Sequence, residues 1–230
     1  MIRYLMFCTV VLLAGSSAAA QPQGSEPLLE KLEHILGIDK STRNLKGPQG
    51  SGSGEPGEIW ISPADQREPR RLVAGDRFRS PVFQPGEKYL YALQDSELIR
   101  ISLPNGLSTQ VRRLPNVIKL VGFDGDHPDQ LLAIFEASSN QVDIALVSVS
   151  SGTRKVIAAR QSRNDSEIEN LLGWGRRYGD VYVLSEGRNV IISGISPVDL
   201  NVSDCGKDLC SQPSFSPELR QVAFIRSAAQ

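Results

Sequence analysis

From Glu58 onward the chain is a succession of short runs rich in Val, Ile, Leu, Phe and Tyr, broken every few residues by Gly, Pro, Asn, Asp or Ser. Such spacing predicts strands joined by tight turns and leaves little room for helix. One run returns. "SPVFQPGEKYLYAL" at residues 80–93 is echoed by "QPSFSPELRQVAFI" at 212–225, so that Pro81, Phe83, Pro85, Leu90 and Ala92 align with Pro213, Phe215, Pro217, Val222 and Phe224, every pair 132 residues apart. That offset is filled by three units of roughly 40 to 45 residues, the length of a four-stranded propeller blade.

Two worn copies lie between. Phe123 precedes the strand Leu131 to Phe135, and Trp174 precedes Val181 to Leu184. A third strand follows in the first three units, at "ELIRISL" (97–103), "VDIALVSV" (142–149) and "NVIISGI" (189–195), and the first two continue through "PNG" and "SSG" to a fourth near "TQVRRL" and "RKVIAA". The last unit stops after its second strand, at Ile225 and Arg226. Its missing pair is expected at the other end, in "GEIWISPADQREPRRLVAG". The fold expected is therefore all-β: a small β-propeller of about four blades, the last blade closed by both termini so that no sheet edge is left open there. A β-sandwich would also give short strands and frequent turns, but it predicts neither the repeat nor the split blade. A single closed ring is the expectation, its rival an arc completed by a second subunit.

The residues ahead of Glu58 follow other patterns. Residues 1–20 combine Arg3, an apolar run from Tyr4 to Ala14 and the small residues Ala18, Ala19 and Ala20, the plan of a secretory signal cleaved after Ala20. The run is shorter than the roughly 20 residues needed to span a bilayer, so no stable membrane insertion is expected. Within residues 21–45, Leu28, Leu32, Ile35 and Leu36 recur at helical spacing with Ser25 as a cap and Gly37 as a stop, predicting a short amphipathic N-terminal helix. Residues 46–57, "KGPQGSGSGEPG", have the composition of a flexible tether leading into the propeller domain at 58–230. Gly52, Gly54 and Gly57 in it spell G-x-G-x-x-G, but a strand follows where phosphate binding requires a helix amino terminus.

The motif "P-x-F-x-P" ahead of an apolar strand, followed by a strand, an "NG" or "SG" turn and an "RRL"-like strand, resembles the propeller repeat of the TolB-like exported proteins. "QPGE" at 84–87 and "SPEL" at 216–219 are near variants of that family's Ser-Pro-Asp-Gly turn, whereas Phe123 and Trp174 are followed by unrelated turns. The resemblance implies a propeller over residues 58–227. It does not extend to the small α/β domain that precedes the family's ring, so this chain is not expected to be a TolB orthologue.

Charge and chemistry narrow the function. With 25 Lys plus Arg against 26 Asp plus Glu, no basic surface is advertised for nucleic acid. Two His residues, His34 and His127, give a metal cluster or a Ser-His relay little to be built from, and no cofactor is expected. Asp124, Asp126 and Asp129 in "DGDHPD" have the oxygens of a calcium loop but lack its remaining ligands, and read better as a solvated turn. Cys205 and Cys210 flank Gly206 in "DCGKDLC" and are expected to form a local disulfide; half a metal site is the rival. The function expected is non-enzymatic: an exported scaffold in the periplasm or secreted, binding an envelope protein or peptide through its loops. Candidate contacts are Arg79, Asp95, Asn116, Trp174, Arg176 and Arg188. The alternative is a glycan- or small-ligand-binding module, or a propeller enzyme, in which Asp95, Asp124, Asp126 and Glu186 converge at the mouth of the ring. A third reading makes the leader helix the functional end.

Overall fold

The computed structural model describes residues 55–86, 88–164, 168, 175–178, 181–194 and 198–229, with the backbone alone at 175–178. The signal, the amphipathic helix and most of the tether expected from the sequence lie outside these residues. Among the described residues no helix is long and apolar enough to cross a membrane.

The architecture is all-β. Strands β1 (Gly57–Pro63), β2 (Arg70–Phe83), β3 (Tyr89–Gln94), β4 (Glu97–Ser102) and β5 (Ser108–Arg113) are followed by β6 (Val117–Phe123), β7 (Gln130–Ser138), β8 (Gln141–Ser148) and β9 (Arg154–Ser162). The remainder comprises β10 (Gly175–Tyr178), β11 (Val181–Glu186), β12 (Asn189–Ser193), β13 (Leu200–Asn201), β14 (Leu209–Phe215) and β15 (Gln221–Ser227). They form a seven-stranded sheet of order β14-β15-β1-β2-β3-β4-β5 and two four-stranded sheets, β6-β7-β8-β9 and β10-β11-β12-β13. All pairings are antiparallel.

The pairing anticipated between "EIWIS" and "QVAFI" is present, with Ile59 opposite Ile225, Trp60 opposite Phe224 and Ile61 opposite Ala223. The sequence suggested separate strands on either side of residues 75–79. Instead β2 runs through as one bent strand whose first half pairs with β1 and whose second half pairs with β3. Gly75, at φ 140°, lies where the strand passes from one partner to the other. A seven-stranded sheet thus contains two four-strand units that share β2: unit IV (β14, β15, β1 and the start of β2) and unit I (the end of β2, then β3 to β5). Unit II is β6 to β9 and unit III is β10 to β13. The fourth strand of unit III, which no apolar run announces, is only Leu200–Asn201.

Strands buried on both faces need apolar residues at successive positions, which is why "YLYALQ" does not alternate with polar residues. Tyr91 and Leu93 face one core with Phe123, Leu131 and Phe135 of unit II, while Leu90 and Ala92 face another with Ile59, Ile61 and Ile225 of unit IV. A third core joins unit III to unit IV through Val183, Ile192, Phe215 and Phe224. The remaining face of unit II, with Leu132, Ile134 and Ile144, is covered by Ile168 from the connection that follows β9. Sheets packed face to face, unit II on unit I, unit I on unit IV and unit IV on unit III, are the packing of propeller blades, and among the described residues no shared core joins unit III back to unit II.

The two repeat copies also meet. Both first strands carry an irregularity in their pairing, between Arg79 and Val82 in β2 and between Ser211 and Ser214 in β14. Within it Ser80 and Gln212, equivalent in the repeat, both adopt left-handed backbone, at φ 51° and 55°. A bulge of this kind leaves a residue outside the ladder, so Pro81 and Pro213, which have no N–H to contribute, are tolerated there. The Ser80 amide donates to Gln212 Oε1 at 2.6 Å and Gln212 Nε2 donates to the Glu55 carbonyl at 3.0 Å. Gln212 is buried, so this one side chain ties together both inner strands and the residue at which the chain enters β1.

Candidate binding face

Strand direction alternates within each unit, so the connections collect along two edges. At the first lie the turns between first and second and between third and fourth strands. At the second lie the tight turns between second and third strands and the segments leading into each first strand. In unit IV the second edge is where the chain ends emerge, at Glu55 and beyond Ser227.

Arg79, Asp95, Asn116 and Arg188 all belong to the second edge. Asp95 and Asn116 hold left-handed turn conformations, at φ 56° and 61°, which Asp and Asn accept more readily than most residues. Arg79 Nη2 donates to the carbonyls of Asp95 (2.9 Å) and Val117 (3.1 Å), and Nη1 to that of Ile118 (3.0 Å). A planar guanidinium can reach three carbonyls where an ammonium could not. Burial pushes the Arg79 guanidinium down from its ordinary value, with the Asp95 charge opposing the shift. Arg79 therefore fastens unit II to unit I, and much of its donor capacity is spent inside the protein. Arg112 of β5 likewise fastens unit I to unit II, donating to the β8–β9 turn at Ser150 O (2.7 Å) and Val149 O (3.3 Å).

Among the residues of this edge with an outward-facing charge is Arg77, two positions before Arg79 in β2. Its Nη1 lies 3.2 Å from Asp95 Oδ2, and its side chain stays largely exposed. Arg77, Arg79, Asp95, Ser96 and Pro56 line a hollow of about 400 Å³. A second hollow of about 550 Å³ shares Pro56 and adds Glu58, Asp76, Asp208 and Arg226. The alternating "RFR" of residues 77–79 could have indicated Arg77 in the sequence; nothing there distinguished Arg79, whose partners are main-chain carbonyls.

The structure places Arg188 elsewhere along the edge, in the exposed turn between β11 and β12, where its carbonyl accepts from Ser203 Oγ at 3.4 Å. Trp174 lies outside the described residues. Arg176 is described by its backbone only, paired with Val183.

Carboxylates do not gather into one site. Asp95 and Glu186 sit at the second edge, whereas Asp124 and Asp126 sit at the first, in the turn after β6. Asp124 Oδ1 accepts from the Asp126 amide at 2.9 Å and its Oδ2 lies 3.2 Å from His127 Nδ1. Asp129 turns away to the β8–β9 turn, accepting from Ser148 Oγ (2.7 Å), Ser150 Oγ (2.8 Å) and the Ser150 amide (2.9 Å). Burial pushes the Asp129 carboxyl up, but these hydrogen bonds and the charge of Arg112 outweigh it and hold the group below its ordinary value. The three aspartates of "DGDHPD" thus build two turns. Among the described residues no three His, Cys, Asp or Glu side chains are placed to hold a metal ion.

Cys205 and Cys210 form a disulfide, their Cα atoms 6.1 Å apart. Both are buried at the second edge, next to the C-terminal strand.

No family model matches the chain, and no curated protein matches it. Among solved structures it is similar to a protein assigned as TolB from Agrobacterium tumefaciens, at 18% identity and a TM-score of 0.41 over 75% of this chain and 62% of that one. It is also similar to TolB from Acinetobacter baumannii, at 11% identity and a TM-score of 0.37 over 77% of this chain and 49% of that one. A third similarity is to the β-propeller domain of the Trilobed protease from Pyrococcus furiosus, which has an open velcro topology, at 13% identity and a TM-score of 0.30 over 64% and 48% of the respective chains. The chain spans less than two thirds of the length of each of these. The fold described above rests on its own strand pairing and cores.

Proposed function

We propose that this protein is an exported, non-enzymatic β-propeller of about four blades, closed by its own termini, that binds a protein or peptide of the bacterial cell envelope through its second loop edge. The observation that carries the reading is the separation of the carboxylates. A glycan-cleaving or ligand-binding mouth was expected to draw Asp95, Asp124, Asp126 and Glu186 together, and the strand order puts two at each edge. What the second edge offers instead is a pair of hollows of mixed charge on either side of Pro56, with Arg77, Asp76 and Glu58 accessible around them. Mixed charge spread over adjoining loops suits a polypeptide surface, where complementarity sets orientation and encounter rate more than raw affinity.

Export is supported by the leader pattern of residues 1–20 and by the Cys205–Cys210 disulfide. A monomer is favoured by the outer strands. β5 and β9 carry Arg113, Arg154, Lys155 and Arg160, and like charges along an edge oppose pairing with a second copy. Arg154 is partly engaged by Asp143, which accepts from its guanidinium at 3.1 Å and from the main-chain amide of Arg160 at 2.8 Å.

The test is capture from envelope extract by the immobilised chain from Gln21 onward, in parallel with Arg77→Glu, Asp95→Arg and Asp126→Arg. Loss of one captured protein with the first two substitutions and retention with the third is expected. Equal capture by all four proteins would refute the assignment to the second edge. Loss only when residues 21–54 are removed would move the site to the leader.

A further inference from the structure

The segment 203–210, whose last six residues the disulfide closes into a ring, lies across the seam at which β15 is joined to β1. From one side of the seam, Arg67 in the turn between β1 and β2 donates through Nε to Ser203 O at 2.8 Å and places Nη2 3.2 Å from Asp204 Oδ1. From the other side, Arg226 on β15 meets Asp208 Oδ2 through Nε and Nη2, each at 2.9 Å, and reaches Asp204 O through Nη1 at 3.3 Å. The same guanidinium stacks 4.7 Å above the ring of Trp60 on β1. The loop is anchored to unit III as well, because the Cys210 amide donates to Gly187 O at 2.8 Å.

We propose that this loop is an oxidation-dependent clasp: formation of the Cys205–Cys210 disulfide locks the β1–β15 seam, and its reduction releases it. Asp208 lies inside the covalent ring and Ser203 and Asp204 immediately precede it, so the disulfide restricts where their oxygens meet Arg226 and Arg67. With the ring cut, ordering the loop costs chain entropy that the arginine contacts must offset. The opening step is thiol–disulfide exchange with a dithiol. Two electrons and two protons pass to the protein, the S–S bond becomes two thiols, and the dithiol becomes its own disulfide. Cys205 and Cys210 are 2% and 0% exposed, so the exchange follows opening of the loop, and its rate reports how firmly the clasp is closed. Such a device leaves the ends loosely joined in a reducing compartment and locks them in an oxidising one. The inference rests on the observed strand pairing and is independent of what the loop edge binds.

Hydrogen exchange on the purified full chain, oxidised and after treatment with dithiothreitol, tests it. Peptides covering β1 and β15 are expected to exchange about tenfold faster on reduction, while those covering β7 and β8 change less than about twofold. The Arg67→Ala, Arg226→Ala double variant, kept oxidised, should reproduce the same local pattern. Cys205→Ala, Cys210→Ala provides the permanently open form, and reduction of the folded native chain serves if that variant does not fold. The proposal is overturned by unchanged exchange in β1 and β15 on reduction, by an equal rise in all strands, or by native protection of the seam in the oxidised arginine variant.

Discussion

Replacing Gln212 by Leu keeps the side chain's bulk and removes two hydrogen bonds at once. The Ser80 amide, buried and bonded to Gln212 Oε1, is left without its acceptor, at a cost of about 1–3 kcal/mol for an unsatisfied buried donor. The bond from Gln212 Nε2 to Glu55 O is only partly buried and contributes about 0.5–1.5 kcal/mol. The expected loss is about 1.5–4.5 kcal/mol, read as a lower urea midpoint at unchanged m-value. Gln212→Glu separates the two bonds. An ionised carboxylate still accepts from the Ser80 amide but cannot donate to Glu55 O, and burial raises its pKa in the folded state. Protonated, it can serve both partners. A folded pKa raised above the unfolded value near 4.3 means that this contribution is fully present below pH ~4.3 and is lost as pH rises through the folded pKa. Gln212→Glu should therefore approach the native protein's stability in mild acid and fall below it at neutral pH. Urea unfolding at a series of pH values, with the native chain measured in parallel, checks this. Stability of Gln212→Leu within about 0.5 kcal/mol of native would show that the contact between repeat copies carries no weight.

Arg79→Ala should lose about 2–4 kcal/mol, since three carbonyls lose a charged donor, and Arg79→Lys should recover little of it; thermal or urea unfolding decides. Asp129, whose folded pKa is depressed, contributes stability that is present above its unfolded pKa and lost as pH falls through the folded value. The difference in stability between the native chain and Asp129→Asn should accordingly be largest near neutral pH and shrink below pH ~4, measured by urea unfolding across that range. Tyr91 is buried and its pKa is raised, chiefly by desolvation with Arg100 opposing it. Its phenol should stay protonated until the protein unfolds in alkali, so that Tyr91→Phe leaves the tyrosine absorbance change of the folded protein unaltered below that transition. Phe224→Ala, at a side chain with no exposed surface between units III and IV, should cost about 3–5 kcal/mol in the same unfolding assay.

Much of the fold was legible because it depends on local signals. Apolar runs with no polar alternation announce strands buried on both faces, as at "YLYALQ" and "LLAIF", and Gly or Asn at the turns marks where they reverse. The offset between Phe83 and Phe215 carried the further inference that the ends must meet, and Ile59 does lie opposite Ile225. Continuity of β2 was hidden by Gly75 and Asp76, residues that usually interrupt a strand but here sit where it changes partner. The candidate site was less legible. Asp95 and Asn116 were recognisable as turn residues, yet Arg79 looked free to bind a ligand because backbone carbonyls, which take up its donors, have no signature in a sequence. Gln212 was passed over for the same reason: its equivalence to Ser80 was visible in the alignment, but their contact depends on two inner strands lying side by side. Arg67 and Arg226, far apart in the chain, acquire a shared role only once the ends are joined.

The joining of β1 to β15 also sets a timetable. A strand near residue 60 cannot acquire its neighbour until residues 221–227 have been made and delivered, so unit IV is the last to be completed, and β1 waits with one edge unpaired. Loop closure over such a separation makes folding slow compared with hairpin formation in units I and II, and it exposes an apolar strand to other chains in the meantime. Truncation by a few residues at the C-terminus would prolong that exposure indefinitely, so losing β15 should send the protein into aggregates sooner than losing an equally long strand from an outer edge.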